Sequence, residues 1–281
     1  MTKNRTFTAA AGLSLLMVAT ASGQFQRIPG TAQSNMVPCP VAGYTCYPQS
    51  IAPGPNGTAW ILGTAKTSAG DYYVYRRERS KWVQTDGAGL QIAVGIDGYP
   101  WVITHLGTIY YWNGSTFVLA PGNGCATSIG VGPNENGSSY GDPWIIGCNG
   151  SSTTDGSIYQ FQFSEWVLQP GAANRIAVLA SGFPWAITSS GSTWAWQGTN
   201  WAEGPEGCAS SIAAGQGNEL PGMVVWITGC GDVNSQGSKI FQVNWNWDWV
   251  QVPGVASQIA LSPDSDVPWA VTLTGEIFSY E

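Results

Sequence analysis

The sequence predicts an all-β protein, a six-bladed β-propeller of four-stranded blades, on three observations. Charged residues make up only 10% of the chain, which holds 37 glycines, 17 prolines and 15 tryptophans, a composition that favours short strands and turns over helices. A unit of about 42 residues recurs six times. The segment that the last unit lacks at the C-terminus is found near the N-terminus.

Each unit is built around a tryptophan followed by an apolar residue, as in GYPWVITH and GFPWAITS. A short strand such as QIAVG precedes this anchor, a strand such as TIYYWN follows it, and a closing segment such as EWVLQPG ends the unit. Four short strands in a unit of this length are typical of a propeller blade. The anchors, at successive spacings of 41, 43, 41, 41 and 43 residues, are Trp60, Trp101, Trp144, Trp185, Trp226 and Trp269.

The closing segment predicts how the ring is sealed. Blade six ends in EIFSYE at Glu281 without a closing segment, and QFQRIPG, which contains Phe25, supplies the missing copy. We therefore expect the N-terminal strand to complete the last blade, which leaves no open blade interface. Blades one, three and five have longer connections than the others, so a double repeat of about 84 residues predicts a pseudo-threefold ring.

Residues 1–23 are predicted to be a signal peptide, since Lys3 and Arg5 precede a short apolar run that ends in small residues. We expect the propeller to span 24–281 and the mature protein to be secreted and extracellular. Without the leader, eight Lys and Arg face seventeen Asp and Glu, a formal charge of −9, which disfavours nucleic acid and anionic membranes as partners. The apolar run is too short to span a membrane, so no membrane insertion is expected.

Six cysteines in an exported chain predict three disulfides. In blades three and five, one cysteine precedes the first strand and another ends the second, and antiparallel pairing brings these two ends together. The other two cysteines share the loop before blade one. A redox-active pair or a zinc site is disfavoured, because nothing basic surrounds these cysteines and no Cys-x-x-Cys pair occurs. The predicted pairs are Cys39–Cys46, Cys125–Cys148 and Cys208–Cys230.

The unit IAVGIDGYPWVITHLGTIYYWNGSTFVLAPG resembles a tectonin repeat, with its I-x-x-G strand, P/V-W anchor, G-x-I-Y strand and aromatic-and-Gly closing strand. All six blades match in outline from Phe25 to Glu281. Tectonin-repeat proteins include fish-egg lectins, a lipopolysaccharide-binding lectin of horseshoe crab and fungal lectins for O-methylated glycans. The resemblance implies a secreted lectin of innate-defence or cell-surface type, with glycans such as O-methylated sugars or bacterial lipopolysaccharide as partners.

The anchors and the closing-strand residues Trp82, Trp166, Trp201 and Trp249 are predicted to be core. Tryptophans without an invariant place in the unit are candidate sugar-stacking residues, with outer-edge packing as the alternative. The polar loops 149–157 and 231–238 lie beside two predicted disulfides and are expected to be pre-organised for polar ligands. The candidate ligand-binding residues are Trp112, Trp194, Trp196, Trp245, Trp247, His105, Asn149, Asp155, Asp232 and Asn234.

Catalytic and metal roles are disfavoured. His105 has Ser189 and Leu273 as its counterparts in the other even blades, which favours a loop histidine that contacts a ligand over a general base. Asp232 and Asn234 faintly resemble a calcium loop that lacks its later acidic ligand. The sequence therefore predicts no catalytic residue, no metal, no cofactor and no enzymatic activity.

Four Asn-Gly-Ser/Thr sequences are both glycosylation acceptors and tight-turn signals. They begin at Asn56, Asn113, Asn136 and Asn149. The favoured function is a lectin that recognises cell-surface or microbial glycans through repeated, multivalent sites between adjacent blades. A secreted polysaccharide-acting enzyme and a protein-interaction scaffold are the alternatives, because propellers host many functions. The oligomeric state is left open.

Overall fold

The structure, a computed structural model, describes most of the propeller. The described residues are 24–27, 50–79, 81–135, 140–150, 154–216, 223–231 and 234–280. The predicted signal peptide, the Cys39–Cys46 pair, Asn136 and Asp232 lie outside them.

Within the described residues, short strands form six four-stranded antiparallel sheets, which confirms the predicted fold class. The first strand is β1 (Phe25–Arg27). Blade one follows with β2 (Ser50–Pro53), β3 (Ala59–Lys66), β4 (Tyr72–Glu78) and β5 (Lys81–Gly89). Blade two has β6 (Gln91–Val94), β7 (Pro100–Ile103), β8 (Ile109–Trp112) and β9 (Phe117–Leu119). Blade three has β10 (Ala126–Gly132), β11 (Asp142–Gly147), β12 (Gly156–Gln162) and β13 (Glu165–Ala173).

The second half repeats this pattern. Blade four has β14 (Arg175–Val178), β15 (Pro184–Ile187), β16 (Thr193–Trp196) and β17 (Trp201–Glu203). Blade five has β18 (Ala209–Gly215), β19 (Val224–Gly229), β20 (Ser238–Val243) and β21 (Trp249–Ala256). Blade six has β22 (Gln258–Leu261), β23 (Pro268–Val271) and β24 (Ile277–Tyr280). Two single 3₁₀ turns, Pro55–Gly57 and Pro121–Asn123, lie in loops.

The N-terminal strand closes the ring as predicted. β1 pairs antiparallel with β24, with Phe25 opposite Tyr280, and becomes the outer strand of blade six. At the inner strands, Gln258 Nε2 donates to Ser50 Oγ at 3.1 Å, which joins blade six to blade one. The inner strands β2 and β22 are also in contact, so the first and last blades are neighbours.

A repeated aromatic contact holds neighbouring blades together. The anchor tryptophan of one blade packs against the closing-strand aromatic of the next, so one unit alone cannot bury its anchor. The pairs with their ring-centroid distances are Trp60–Phe117 (6.3 Å), Trp101–Trp166 (6.5 Å), Trp185–Trp249 (6.3 Å) and Trp226–Phe25 (6.4 Å). Trp144 and Trp201 share a cluster, as do Trp269 and Trp82. The anchors are buried, except that Trp269 is partly buried, and the closing tryptophans are partly buried.

Each blade presents turns at two rims. We call the rim with the first-to-second and third-to-fourth strand turns the first rim, and the rim with the second-to-third and fourth-to-first connections the second rim.

Aspartates on the first rim tie even blades to the following odd blades. Asp97 Oδ2 accepts from Asn134 N at 3.0 Å, and Asp264 Oδ2 accepts from Asn56 N at 2.9 Å.

On the second rim the same chemistry ties odd blades to the following even blades. Asp71 Oδ1 accepts from the backbone N of His105 at 2.6 Å, and Asp155 Oδ1 accepts from that of Ser189, also at 2.6 Å. At the third equivalent place, Leu273 N donates to the backbone oxygen of Gln236 at 2.8 Å. These interblade hydrogen bonds follow the pseudo-threefold pattern.

The two described disulfides join blade strands as predicted. Cys125–Cys148 and Cys208–Cys230 have Cα–Cα distances of 5.5 and 5.4 Å. A turn glycine of the preceding even blade packs on each bond. Gly107 has φ +79°, and a Cβ there would lie 2.5 Å from Cys148 Sγ, so the close approach requires glycine. Disulfides of this kind indicate an oxidising compartment.

The interblade aspartates predict a stability effect. Asp155→Ala removes the acceptor of the Ser189 N–H, so we expect the free energy of unfolding to fall by about 1–3 kcal/mol, measured by urea denaturation. Asp155→Asn keeps an oxygen acceptor and should recover part of the loss. Glu165→Ala, an exposed change that also removes one negative charge, is the control. Equal losses in Asp155→Ala and Glu165→Ala would contradict the interblade role.

Candidate functional site

A large concave feature lies at the second rim, where the central channel opens. The mouth is a cavity of about 550 Å³, and deeper in the channel a second cavity of about 100 Å³ is bordered mainly by aliphatic residues. All six blades contribute the residue that precedes the first isoleucine of their inner strand. These mouth residues are Ser50, Gln91, Ser128, Arg175, Ser211 and Gln258.

The mouth residues alternate in chemistry with the double repeat. Odd blades contribute serine, and two of these hydroxyls accept from the backbone of the next blade. Ser128 Oγ accepts from Ile176 N at 3.2 Å, and Ser211 Oγ accepts from Ile259 N at 3.4 Å. Even blades contribute the longer side chains of Gln91, Arg175 and Gln258. The serines thus help to hold the ring, as Gln258 does through its hydrogen bond to Ser50, and the three long side chains give the mouth its larger polar groups.

Arg175 sets the charge of the mouth. Among the described residues that line this cavity it is the one Lys or Arg, and none is Asp or Glu. Its Nη1 donates to the backbone and side-chain oxygens of Asn174, both at 3.1 Å. The guanidinium is accessible to solvent, yet surrounding protein desolvates it and lowers the pKa of Arg175 from its ordinary value. An arginine remains charged at neutral pH, so the mouth carries one positive charge.

His105 borders the same mouth and is paired with Asp71. Its Nδ1 lies 2.9 Å from Asp71 Oδ2, and the Asp71 side chain is only 8% exposed. Asp155 makes the same backbone contact to Ser189, where no histidine is present. The aspartate therefore serves the blade interface, and the imidazole is an addition specific to blade two. No described serine, threonine or cysteine is hydrogen-bonded to the imidazole.

The predicted polar residues of the second-rim loops are engaged within the protein. Asn149 Nδ2 donates to Ser157 Oγ at 2.8 Å, and its Oδ1 accepts from Ser157 N at 3.0 Å. Asn234 Oδ1 accepts from the backbone N of Gln236 at 2.8 Å and of Gly237 at 3.0 Å. Asp155 accepts the interblade hydrogen bond from Ser189 N. These side chains hold the second-rim loops in place through contacts within the protein.

Two of the candidate stacking residues are buried in the core, so packing, and not sugar stacking, is what the structure shows for their rings. Trp112 and Trp196 are 9% and 8% exposed and lie 5.5 and 5.7 Å from Trp60 and Trp144. Each ends the third strand of an even blade at a position that faces the anchor tryptophan of the preceding blade. Burial against that anchor leaves no free face for a sugar.

The other predicted tryptophans lie apart from the mouth. Trp194 is partly buried on β16. Trp245 and Trp247 are 63% and 38% exposed in the hairpin between β20 and β21, which is on the first rim. Trp247 has φ +63° and packs against Trp185 with a centroid distance of 5.2 Å. The predicted aromatic and polar candidates therefore do not form one site.

The described glycosylation sequences occupy turns. Asn113 Oδ1 accepts from the backbone N of Ser115 and of Thr116, both at 3.0 Å, within the β8–β9 hairpin. Asn56 is exposed with φ +57°, and Asn149 is exposed in its loop. Their role in tight turns accounts for the Asn-Gly sequences at Asn113 and Asn56. Glycan attachment at these sites stays a prediction.

Two kinds of feature are absent from the residues that the structure describes. No group of three or more His, Cys, Asp or Glu is placed to hold a metal ion. No helix in the described part of the chain is long and apolar enough to cross a membrane.

Sequence reasoning missed the mouth because its members are one residue in each repeat. The strands SIAPG, QIAVG, SIGVG, RIAVL, SIAAG and QIALS differ in their first letter in an alternating way, with serine in odd blades and glutamine or arginine in even ones. That alternation, together with the single basic residue at Arg175, is the sequence pattern from which the mouth could have been predicted.

Comparisons with known proteins support the architecture. No protein-family model and no curated protein matches the chain. A solved structure of YCF48 bound to D1 peptide aligns with a TM-score of 0.55 at 14% identity, over 94% of this chain and 96% of that one. A structural genomics protein of unknown function from Bacteroides thetaiotaomicron aligns with a TM-score of 0.59 at 11% identity, over 92% of this chain and 75% of that one. Similarity at these identities shows a shared fold alone.

Proposed function

We propose that the protein is a non-catalytic, secreted glycan-binding protein whose binding site is the channel mouth on the second rim. The observation that supports it is the open cavity of about 550 Å³ to which every blade contributes a polar side chain. Hydroxyl, amide and guanidinium groups match the donors and acceptors of a sugar. The volume lies in the range of about 300–1,000 Å³ common for small-molecule sites.

The frame of the mouth supports the same proposal. Cys148 borders the cavity, and the Cys125–Cys148 bond fixes the start of β10 beside the end of β11. A site held by covalent and interblade contacts loses little conformational entropy when it binds a ligand. The disulfides indicate an oxidising compartment, which fits secretion, and the tectonin-like repeat fits a lectin.

A glycan array tests the proposal. We expect residues 24–281, produced with disulfides intact, to bind at least one class of glycan on an array that includes O-methylated sugars and bacterial lipopolysaccharide. Replacing both mouth glutamines, Gln91→Ala with Gln258→Ala, should weaken that binding about tenfold because it removes two amide partners. Phe163→Ser, an exposed change on the first rim, is the control and should leave binding unchanged. No signal from the wild-type chain on the whole array would contradict a lectin.

A protein-interaction scaffold is the second candidate, favoured by exposed aromatics on the first rim. Phe163 is 78% exposed and Trp245 is 63% exposed in third-to-fourth strand hairpins. A structurally similar protein, YCF48, is bound to a peptide in its solved structure. This candidate predicts peptide binding that Trp245→Ser abolishes and that the mouth variants leave intact, measured by fluorescence polarisation with a labelled peptide library.

A further inference from the structure

We propose that the channel mouth selects an acidic sugar and that Arg175 binds the carboxylate of that sugar. The inference rests on the proposed function, since it specifies the ligand class of the same site. It goes beyond that function because a general glycan site needs no positive charge.

The first argument is the charge of the mouth compared with that of the whole chain. The chain carries 17 acidic against 10 basic residues, so an average surface repels an anion. The described lining of the mouth reverses this balance, with Arg175 and no Asp or Glu. Asp71 contacts the mouth residue His105, but its carboxylate is buried and bound to that imidazole. The mouth is therefore a local site at which an anion is favoured.

The second argument is the state of the guanidinium. Asn174 oxygens occupy Nη1, and no described residue accepts from Nη2 or Nε. This leaves parallel N–H donors for a carboxylate, the arrangement in which arginine binds carboxylates most strongly. The contact to Asn174 also restrains the side chain, which reduces the entropy lost when a ligand is bound.

The third argument is desolvation. Surrounding protein partly desolvates the guanidinium and lowers the pKa of Arg175, although the residue stays exposed at the cavity. Charges interact more strongly where water is partly excluded. Arg175 has no salt-bridge partner among the described residues, so a carboxylate bound in the mouth would give the guanidinium an opposite charge to pair with.

The remaining lining favours a sugar as the bearer of that carboxylate. Gln91 and Gln258 hold the places in blades two and six that Arg175 holds in blade four, so the three long side chains are related by the pseudo-threefold axis. A sugar with one carboxylate and several hydroxyl groups matches one guanidinium and two amides. The exposed aromatic side chains that would favour a peptide are on the first rim.

Isothermal titration calorimetry with matched acid and neutral sugars tests the inference. The probes are trisaccharides of galacturonate, glucuronate and mannuronate, each as the free acid and as the methyl ester, titrated into residues 24–281. We expect at least one free acid to bind about tenfold or more tightly than its own methyl ester, and added salt to reduce the preference.

Variants of Arg175 and a matched mouth residue separate charge from shape. Arg175→Gln should abolish the preference for the acid over the ester, while Arg175→Lys should retain part of it because the positive charge remains. Gln258→Ala should weaken the acid and the ester alike. Thermal unfolding of each variant checks that the ring is intact. If Arg175→Gln unfolds at a lower temperature than the wild type, Arg175→Met takes its place as the variant that removes the charge.

The outcomes distinguish this inference from the proposed function. If acids and esters bind equally, or if Arg175→Gln keeps the preference, the acidic-sugar inference is wrong and the lectin stands. If no sugar binds in the calorimeter or on the array, both fail. If a hexaglutamate peptide binds in an Arg175-dependent way while all the sugars fail, the mouth binds an acidic peptide, and both proposals are overturned.

Discussion

Replacing Phe25 with alanine is expected to lower the free energy of unfolding by about 3 kcal/mol, within the usual cost of truncating a packed phenylalanine. Phe25 packs edge-on against Tyr280 at 5.1 Å and against the anchor Trp226 at 6.4 Å, so its ring joins β1, blade six and blade five. The change leaves a cavity where β1 meets the last strand, β24. Thermal or urea unfolding measures the loss.

Gln26→Ala is the matched control for this substitution. Gln26 lies next to Phe25 in β1, is exposed and stands opposite Ser279 of β24. We expect it to change stability by less than about 0.5 kcal/mol. If Phe25→Ala and Gln26→Ala unfold at the same midpoint, closure by the N-terminal strand does not stabilise the ring.

Removing the blade-five disulfide is the second large effect. The Cys208→Ser, Cys230→Ser double variant frees a loop with a sequence separation of 22 residues, and the loop-entropy relation gives a loss of about 3 kcal/mol. The Cys125→Ser, Cys148→Ser variant, with a separation of 23, should lose a similar amount because it holds the equivalent place in blade three. Thermal unfolding without reductant measures both.

The disulfide variants also bear on binding. Cys208 lies three residues before Ser211, and Ser210 and Ser211 both border the mouth. Loosening this segment should weaken binding of any ligand in the mouth, in addition to its effect on stability. An unchanged unfolding midpoint in both double variants would contradict a stabilising role for these bonds.

Much of the fold was predictable because the repeat records it. An anchor such as Trp101 recurs with its flanking strands, and the closing segment that blade six lacks occurs near the N-terminus at Phe25, so the sequence predicts both the ring and its closure. The disulfides followed from strand pairing. Local pattern suffices where each unit makes the same contact with its neighbour.

The site was less predictable because it depends on contacts between blades. Trp112 varies in the repeat, which left sugar stacking and packing as alternatives, and its ring packs against Trp60 of the preceding blade. Asp155 was expected to face a ligand, yet it accepts from Ser189 N across the blade interface. Arg175 looked like an ordinary first residue of a strand, and only ring closure places it beside its five counterparts around the channel. Sequence spacing does not encode these interblade distances.

The central claim is that a sugar binds in the channel mouth on the second rim, and a crystal structure of residues 24–281 with a bound array-positive oligosaccharide tests it most directly. We predict ordered sugar density in the mouth, within hydrogen-bond distance of Gln91, Arg175 or Gln258. Sugar ordered against Trp245 or Trp247 on the first rim, with the mouth free of sugar, would contradict the account.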